Sequence, residues 1–218
     1  SEAFQGIDMD ATGTGTSNVY VVGSTSATGN TAGVSDLLLA KYSNAGTLLW
    51  QRRLGGANTE LGYCVASDSS SRSNVYVTGS STIYNASTPH LLIAKYNSSG
   101  TIVWQRVLSS NNYGAETGYG ISLIDGGSNV CVVGTTSAIL LVKYNLAGTV
   151  QWQRMLGSSL TTGNIETGTD ITVDSANNIY ITGTIYQYPG SNQSGLVAKY
   201  SSNGSLQWQR YLHYNNTG

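Results

Sequence analysis

Apolar residues in this chain fall in short runs of about five to eight, separated by clusters of Gly, Ser, Thr and Asn, and the third quarter shows the pattern most compactly. There the runs are Gly120 to Ile124, Asn129 to Gly134, Ile139 to Tyr144 and Thr149 to Leu156. They are rich in Val, Ile, Leu, Tyr and Trp and are often apolar at successive positions, which predicts strands of sheets covered on both faces. No helical periodicity competes. The third and fourth runs are joined by Ser43-Asn44-Ala45-Gly46, Asn97-Ser98-Ser99-Gly100, Asn145-Leu146-Ala147-Gly148 and Ser201-Ser202-Asn203-Gly204. Gly and Asn supply the positive φ of tight reversals, so these segments read as hairpin turns.

The same four-run unit occurs four times. Its clearest mark is a strand ending in Trp-Gln-Arg, at Trp50-Gln51-Arg52, Trp104-Gln105-Arg106, Trp152-Gln153-Arg154 and Trp208-Gln209-Arg210, which uses all four tryptophans. Four antiparallel strands per unit, repeated in tandem, predict an all-β fold: a single β-propeller domain over residues 1–218 with four four-stranded blades. The blades are expected at about 1–56, 57–112, 113–162 and 163–218. Gly6, Cys64, Gly120 and Asp170 occupy equivalent places in the first strand, which is expected to lie nearest the axis, where small residues fit. The pattern is compatible with a closed four-bladed ring, with two chains pairing into an eight-bladed ring, or with a segment of a longer array, so a homo-oligomer is one expectation.

Charge changes the picture by subtraction. The 218 residues carry 10 basic and 11 acidic side chains, a net charge of −1, which leaves no electrostatic footprint for nucleic acid. No run approaches the roughly 20 apolar residues of a membrane-spanning helix, so membrane insertion is not expected. Cys64 and Cys131 stand at non-equivalent positions and read as buried free thiols. Sixteen of the 21 charges recur in register: Glu2, Glu60, Glu116 and Glu166; Asp10, Asp68, Asp125 and Asp174; Lys41, Lys95, Lys143 and Lys199; Arg52, Arg106, Arg154 and Arg210. Only Asp8, Asp36, Arg53, Arg72 and Asp170 stand outside the set. Catalysis needs unlike groups converging on one asymmetric centre, whereas these groups repeat, so they are expected to form ion pairs and turn hydrogen bonds. Glu116, for example, is expected to meet a lysine or arginine.

No nucleophile elbow, phosphate-binding loop or dinucleotide fingerprint is present, and the two histidines lack partners at metal-ligand spacing. The Asp68, Asp125 and Asp174 turns have too few carboxylates for a calcium loop and read as side-chain-capped turns. Neither enzyme activity nor a cofactor or metal is expected.

The repeats disagree at one rim. Antiparallel order sends the loops between second and third strands, and the links between blades, to the same face, and there the sequence varies in length and composition. Tyr84, His90, Tyr113, Tyr186, Tyr188, His213 and Tyr214 lie in or beside these segments and are the candidate binding residues. The histidines are read as surface residues. Tyrosine combines a rigid apolar ring with a polar tip, which suits a glycan or a protein partner.

Taken together, Asn74-Val-Tyr-Val-Thr-Gly79, Leu92-Ile-Ala-Lys-Tyr96, Gly100-Thr-Ile-Val-Trp-Gln-Arg106 and Glu116-Thr-Gly-Tyr-Gly-Ile121 resemble the bacterial-type β-propeller repeat of secreted and surface proteins. The Trp-Gln-Arg form also resembles repeats in virion proteins of aquatic tailed bacteriophages. The resemblance implies a propeller without transferable catalytic residues. It further implies a virion or extracellular location, with other virion or surface proteins, or host-surface glycans, as partners. A secreted carbohydrate-binding lectin, with quasi-equivalent sites between blades, is the alternative expectation.

Overall fold

In a computed structural model, residues 2–10, 17–26, 34–68, 74–82, 88–109, 115–157, 166–186 and 193–212 are described. Among them there is no helix. Sixteen strands form four sheets, each a sequential antiparallel meander. The first blade comprises β1 (Glu2–Met9), β2 (Val19–Thr25), β3 (Asp36–Tyr42) and β4 (Leu48–Leu54). The second comprises β5 (Glu60–Ser67), β6 (Val75–Ser81), β7 (His90–Tyr96) and β8 (Ile102–Leu108). The third has β9 (Thr117–Ile124), β10 (Asn129–Thr135), β11 (Ile139–Asn145) and β12 (Val150–Leu156). The fourth has β13 (Thr167–Val173), β14 (Ile179–Tyr186), β15 (Gln193–Tyr200) and β16 (Leu206–Leu212).

The first strand of each blade is innermost: β1 packs on β5, β5 on β9 and β9 on β13. Each carries a one-residue irregularity in its pairing with the second strand, at Gln5, Tyr63, Tyr119 and Thr169. A bulge of this kind bends and twists the strand at the crowded axis. The rings of Tyr63 and Tyr119 meet there with centroids 5.2 Å apart. A β-carbon on Gly6 would come 2.7 Å from the Tyr63 carbonyl oxygen and 2.9 Å from Cys64 Cα, so the close approach requires the glycine.

Between blades, the apolar faces form three successive cores. Tyr20, Val22, Leu37 and Leu39 meet Val65, Val77, Leu92 and Tyr96; Tyr76, Leu91 and Ile93 meet Val130, Val132 and Tyr144; Cys131, Val133 and Leu141 meet Ile171, Ile181 and Tyr200. Each such side chain, fully buried, contributes about 1.5–3 kcal/mol. Both faces of the middle sheets are therefore dry, which explains why their strands read as continuous apolar runs. Cys131 is buried as expected, whereas Cys64 is only partly so; both thiols are free.

A second device fastens the blades. Trp50 Nε1 donates to the Ser98 carbonyl (3.1 Å), and Arg52 donates to the carbonyls of Gly100 (2.9 Å) and Ser99 (2.8 Å), all in the β7–β8 turn of the next blade. Trp104 and Arg106 repeat this on Leu146 (2.9 Å) and Ala147 (3.3 Å), and Arg154 on Gly204 (2.8 Å) and Asn203 (3.4 Å). The turn glycine lies against the preceding tryptophan: a β-carbon on Gly100, Gly148 or Gly204 would stand about 3 Å from the ring of Trp50, Trp104 or Trp152. The recurring lysines behave similarly, Lys95 donating to Leu146 (3.3 Å) and Lys143 to Ser202 (3.0 Å). Most of these cations thus bind backbone carbonyls of turns, and Lys143 also bridges to Asp125 at 2.7 Å.

The Asp174 turn is side-chain capped, as read from sequence, and Asp125 accepts from the Asn129 amide at 2.8 Å, while residues 69–73 after Asp68 lie outside the described residues. Asp174 accepts from the backbone N–H of Ala176 (2.9 Å) and Asn178 (2.8 Å), from the Asn178 amide (2.8 Å) and from the Tyr180 hydroxyl (3.1 Å). Asp10 holds Asn18 and Tyr20 in the same way.

Among the described residues the array does not close: the chain of inner-strand packing runs from β1 to β13 and has no comparable β13–β1 junction.

Candidate functional site

The rim that carries β2–β3 loops and inter-blade links is built on one recurring slot. Asp36, His90, Ala138 and Ser194 are equivalent residues at the head of the third strand, five before the repeated lysine, and all are buried. Opposite the first two, the next blade supplies a glutamate, Glu60 beside Asp36 and Glu116 beside His90, and Glu166 is their equivalent at the third junction; all three glutamates are buried. Backbone bonds seat the glutamates, with Glu60 N–H donating to Ser35 O and Glu116 N–H to Pro89 O, both at 2.8 Å. The glutamate is constant at the three internal junctions, while the residue at the head of the third strand is an acid, an imidazole, a methyl or a hydroxyl from blade to blade.

At the first junction two acids, Asp36 and Glu60, share the slot. Arg53 Nε bonds Asp36 Oδ2 at 2.8 Å, and the Ser81 hydroxyl donates to Glu60 Oε1 at 2.9 Å. Burial foremost, and then the charge of Asp36, push the Glu60 carboxyl above the usual carboxylate range; Ser81 and the Gly56 backbone partly offset this. Beside Glu60 opens a pocket of about 190 Å³, lined by Gly55, Gly56, Asn58, Ser81 and Gln105 over an apolar floor of Leu92 and Val107. Several polar groups around a small apolar floor can take a hydroxyl-bearing or amine-bearing ring edge.

At the second junction, His90 Nδ1 lies 3.5 Å from Glu116 Oε2. This corrects one expectation: His90 is not a surface residue, because it heads β7, a strand buried along its whole length between blades. Glu116 faces this histidine of the adjoining blade. At the third junction Thr135 donates from Oγ1 to the Glu166 carbonyl (2.6 Å), and Gly157 packs directly on the Glu166 carboxylate.

Of the other candidate residues, Tyr186 ends β14 and pairs with Gln193. Tyr84, Tyr113, Tyr188, His213 and Tyr214 lie outside the described residues. Sequence reasoning missed the slot itself, assigning Glu60 only to the repeating framework. The available signal was Asp36, a charge outside the repeating set, five residues before the repeated lysine at a position that changes from blade to blade.

On the opposite face a wider cavity of about 680 Å³ opens between the inner strands of the second, third and fourth blades. It is bounded by Asp68, Ser122, Gly127, Thr172 and Asp174 among others. Its two acids are equivalent turn aspartates. Among the described residues no three His, Cys, Asp or Glu side chains gather as metal ligands.

No curated protein sequence matches this chain. Among solved structures, an exo-β-1,3-galactanase from Phanerochaete chrysosporium, determined with β-1,3-galactotriose, is similar at 12% identity with a TM-score of 0.54. That likeness covers 95% of this chain and 48% of the galactanase, so the chain spans about half its length and shares the fold alone. A luciferin-regenerating enzyme is more distant, at 11% identity and a TM-score of 0.48 over 96% of this chain and 76% of the other. The family described as outer membrane protein assembly factor BamB matches residues 35–218. The repeating blades and the extent of that match place the chain in the BamB-type β-propeller repeat family, to which it belongs.

Proposed function

We propose that this chain is a non-enzymatic interaction module that presents its variable rim to a partner on a virion or host surface. The observation that carries the reading is the division of labour between the repeated and the non-repeated residues. The repeated Trp, Arg, Lys and Asp side chains are engaged in fastening blades and capping turns. The residues that differ between blades, Asp36, His90, Ala138 and Ser194, stand at equivalent places at the head of the third strands, at one end of the blades. A constant frame with one varied face is how loop-borne recognition is mounted. The likeness of the Trp-Gln-Arg runs to repeats of tailed-phage virion proteins supports a virion, tail-associated part. Recovery of peptides from this chain in density-purified virus particles is the expected result. Its confinement to the particle-free soluble fraction would overturn that role.

The pocket beside Glu60 favours one second reading, a secreted lectin with sites between blades. On that reading a mixed-sugar array retains the protein, and Asn58→Ala or Tyr186→Ala abolishes retention; silence across the array would sink it.

A further inference from the structure

The arginine grip and the seating of the turn glycine on tryptophan recur at all three internal junctions, and each end of the array exposes one half of this device. On the fourth blade, Arg210 lies over Trp208 with its guanidinium 5.8 Å from the ring, matching the 5.4, 5.6 and 5.3 Å poses of Arg52, Arg106 and Arg154. Its Nη1 donates to the Gln209 carbonyl, as Arg52, Arg106 and Arg154 do to Gln51, Gln105 and Gln153. What those three also grip, the turn of a following blade, is absent for Arg210 among the described residues. On the first blade, Gly46 holds the same left-handed conformation as the buried turn glycines: φ is +78° there and +77°, +76° and +80° at Gly100, Gly148 and Gly204. The three buried glycines sit on a tryptophan, whereas a β-carbon on Gly46 would meet nothing within 4 Å.

The apolar faces tell the same story. Ile7 of β1 is 71% exposed, while its equivalents Val65, Ile121 and Ile171 are 3, 5 and 7% exposed. Val197 of β15 is 42% exposed, while its equivalents Leu39, Ile93 and Leu141 are 0, 0 and 1%. Glu2 is exposed, whereas Glu60, Glu116 and Glu166 are buried by the preceding blade. One end therefore offers Trp208, Arg210, Val197 and Leu212; the other offers the Ser43–Gly46 turn and Ile7.

We propose that these ends are the two halves of one interface, and that a second copy of this chain docks head to tail at both, so that two chains complete one ring. Continuity points to the occupant: the two ends carry the clasp parts that the internal junctions bury, Trp208 and Arg210 on one and the Gly46 turn on the other, and this chain carries both complementary halves. A net charge of −1 per copy gives little repulsion. Two head-to-tail contacts related by a twofold axis close the assembly and leave neither end exposed.

The test is the molar mass of the purified chain by light scattering across a range of concentrations, with Arg210→Ala and Gly46→Ala alongside. The wild type is expected to approach twice the 22.9 kDa of one chain, and each variant to need at least tenfold more protein to associate. A wild-type monomer at every concentration, an unbounded series of larger species, or variants that associate as readily as the wild type would each overturn the two-chain ring. Circular dichroism of both variants checks that they remain folded; these exposed positions lie outside the three internal cores.

Discussion

Gly148 and Gly46 offer a matched pair for measuring how tightly a blade grips its neighbour. Both occupy the last position of a β3–β4-type turn, with φ of +76° and +78°. Replacing either by Ala imposes the same left-handed backbone penalty, about 1–2 kcal/mol. At Gly148 the new methyl also meets Trp104, with Cδ2 at 2.9 Å and Cε2 and Cε3 at 3.1 Å, whereas at Gly46 it meets nothing within 4 Å. Overpacking against an aromatic ring held by its own hydrogen bond to Leu146 adds roughly 1–3 kcal/mol. Gly148→Ala is therefore expected to cost roughly 2–5 kcal/mol and Gly46→Ala about 1–2 kcal/mol. Urea unfolding followed by tryptophan fluorescence, at a concentration where light scattering reports a monomer, reads the difference. Equal losses at the two sites would refute the seating of Trp104 on the turn, and with it the blade-to-blade clasp.

Three further outcomes are expected. Because burial and Asp36 raise the folded-state pKa of Glu60 above its unfolded value, the native protein binds the extra proton and gains stability as pH falls from neutral through that raised value. Glu60→Gln should flatten that part of the pH–stability curve, measured by thermal melts from pH 7 to 4.5, and an unchanged slope would contradict the assignment. Asp174 shows the opposite sign: hydrogen bonds from Asn178 foremost lower it, so its contribution is present above the unfolded value and lost in acid. Asp174→Ala should destabilise the protein at neutral pH and have a smaller effect near pH 2, as judged by urea midpoints. Burial pushes the Cys131 thiol up to about 12, so native protein at pH 8 should leave it unalkylated by iodoacetamide while urea-unfolded protein reacts at both cysteines. Rapid native labelling of Cys131 would show that the third-to-fourth blade core opens.

The strands and blades were legible because inter-blade burial on both faces writes long apolar runs such as Leu37–Ala40 and Ile139–Val142, and because Trp and Arg recur once per blade. What Trp104 and Arg106 hold was not legible. Their partners are main-chain carbonyls of Leu146 and Ala147, which leave no signature in side-chain identity. The positive-φ glycine at 148 could be seen as a turn residue, but its contact with a tryptophan of the preceding blade depends on packing alone. His90 looked like an isolated loop-edge residue, since its burial is decided by Glu116, 26 positions away in the next blade. The candidate tyrosines were chosen from segments that vary in length, and variation of that kind marks a rim without specifying how its side chains converge. The pocket beside Glu60 arises instead where the Gly55–Asn58 link crosses the second blade.

The openness of the four-blade array can be measured directly by pulsed electron paramagnetic resonance between spin labels on Ala45→Cys and Gln207→Cys. Both positions are exposed, one in the Ser43–Gly46 turn of the first blade and one beside Trp208 of the fourth. A Cys64→Ala background leaves Cys131 as the remaining native thiol, buried and unreactive. Excess unlabelled protein removes distances between chains. Packed sheets stand about 10 Å apart, so an array open by at least one blade should separate the labels by roughly 20 Å or more. A separation near 10 Å would mean that the first and fourth blades clasp each other within one chain, and would contradict the open array.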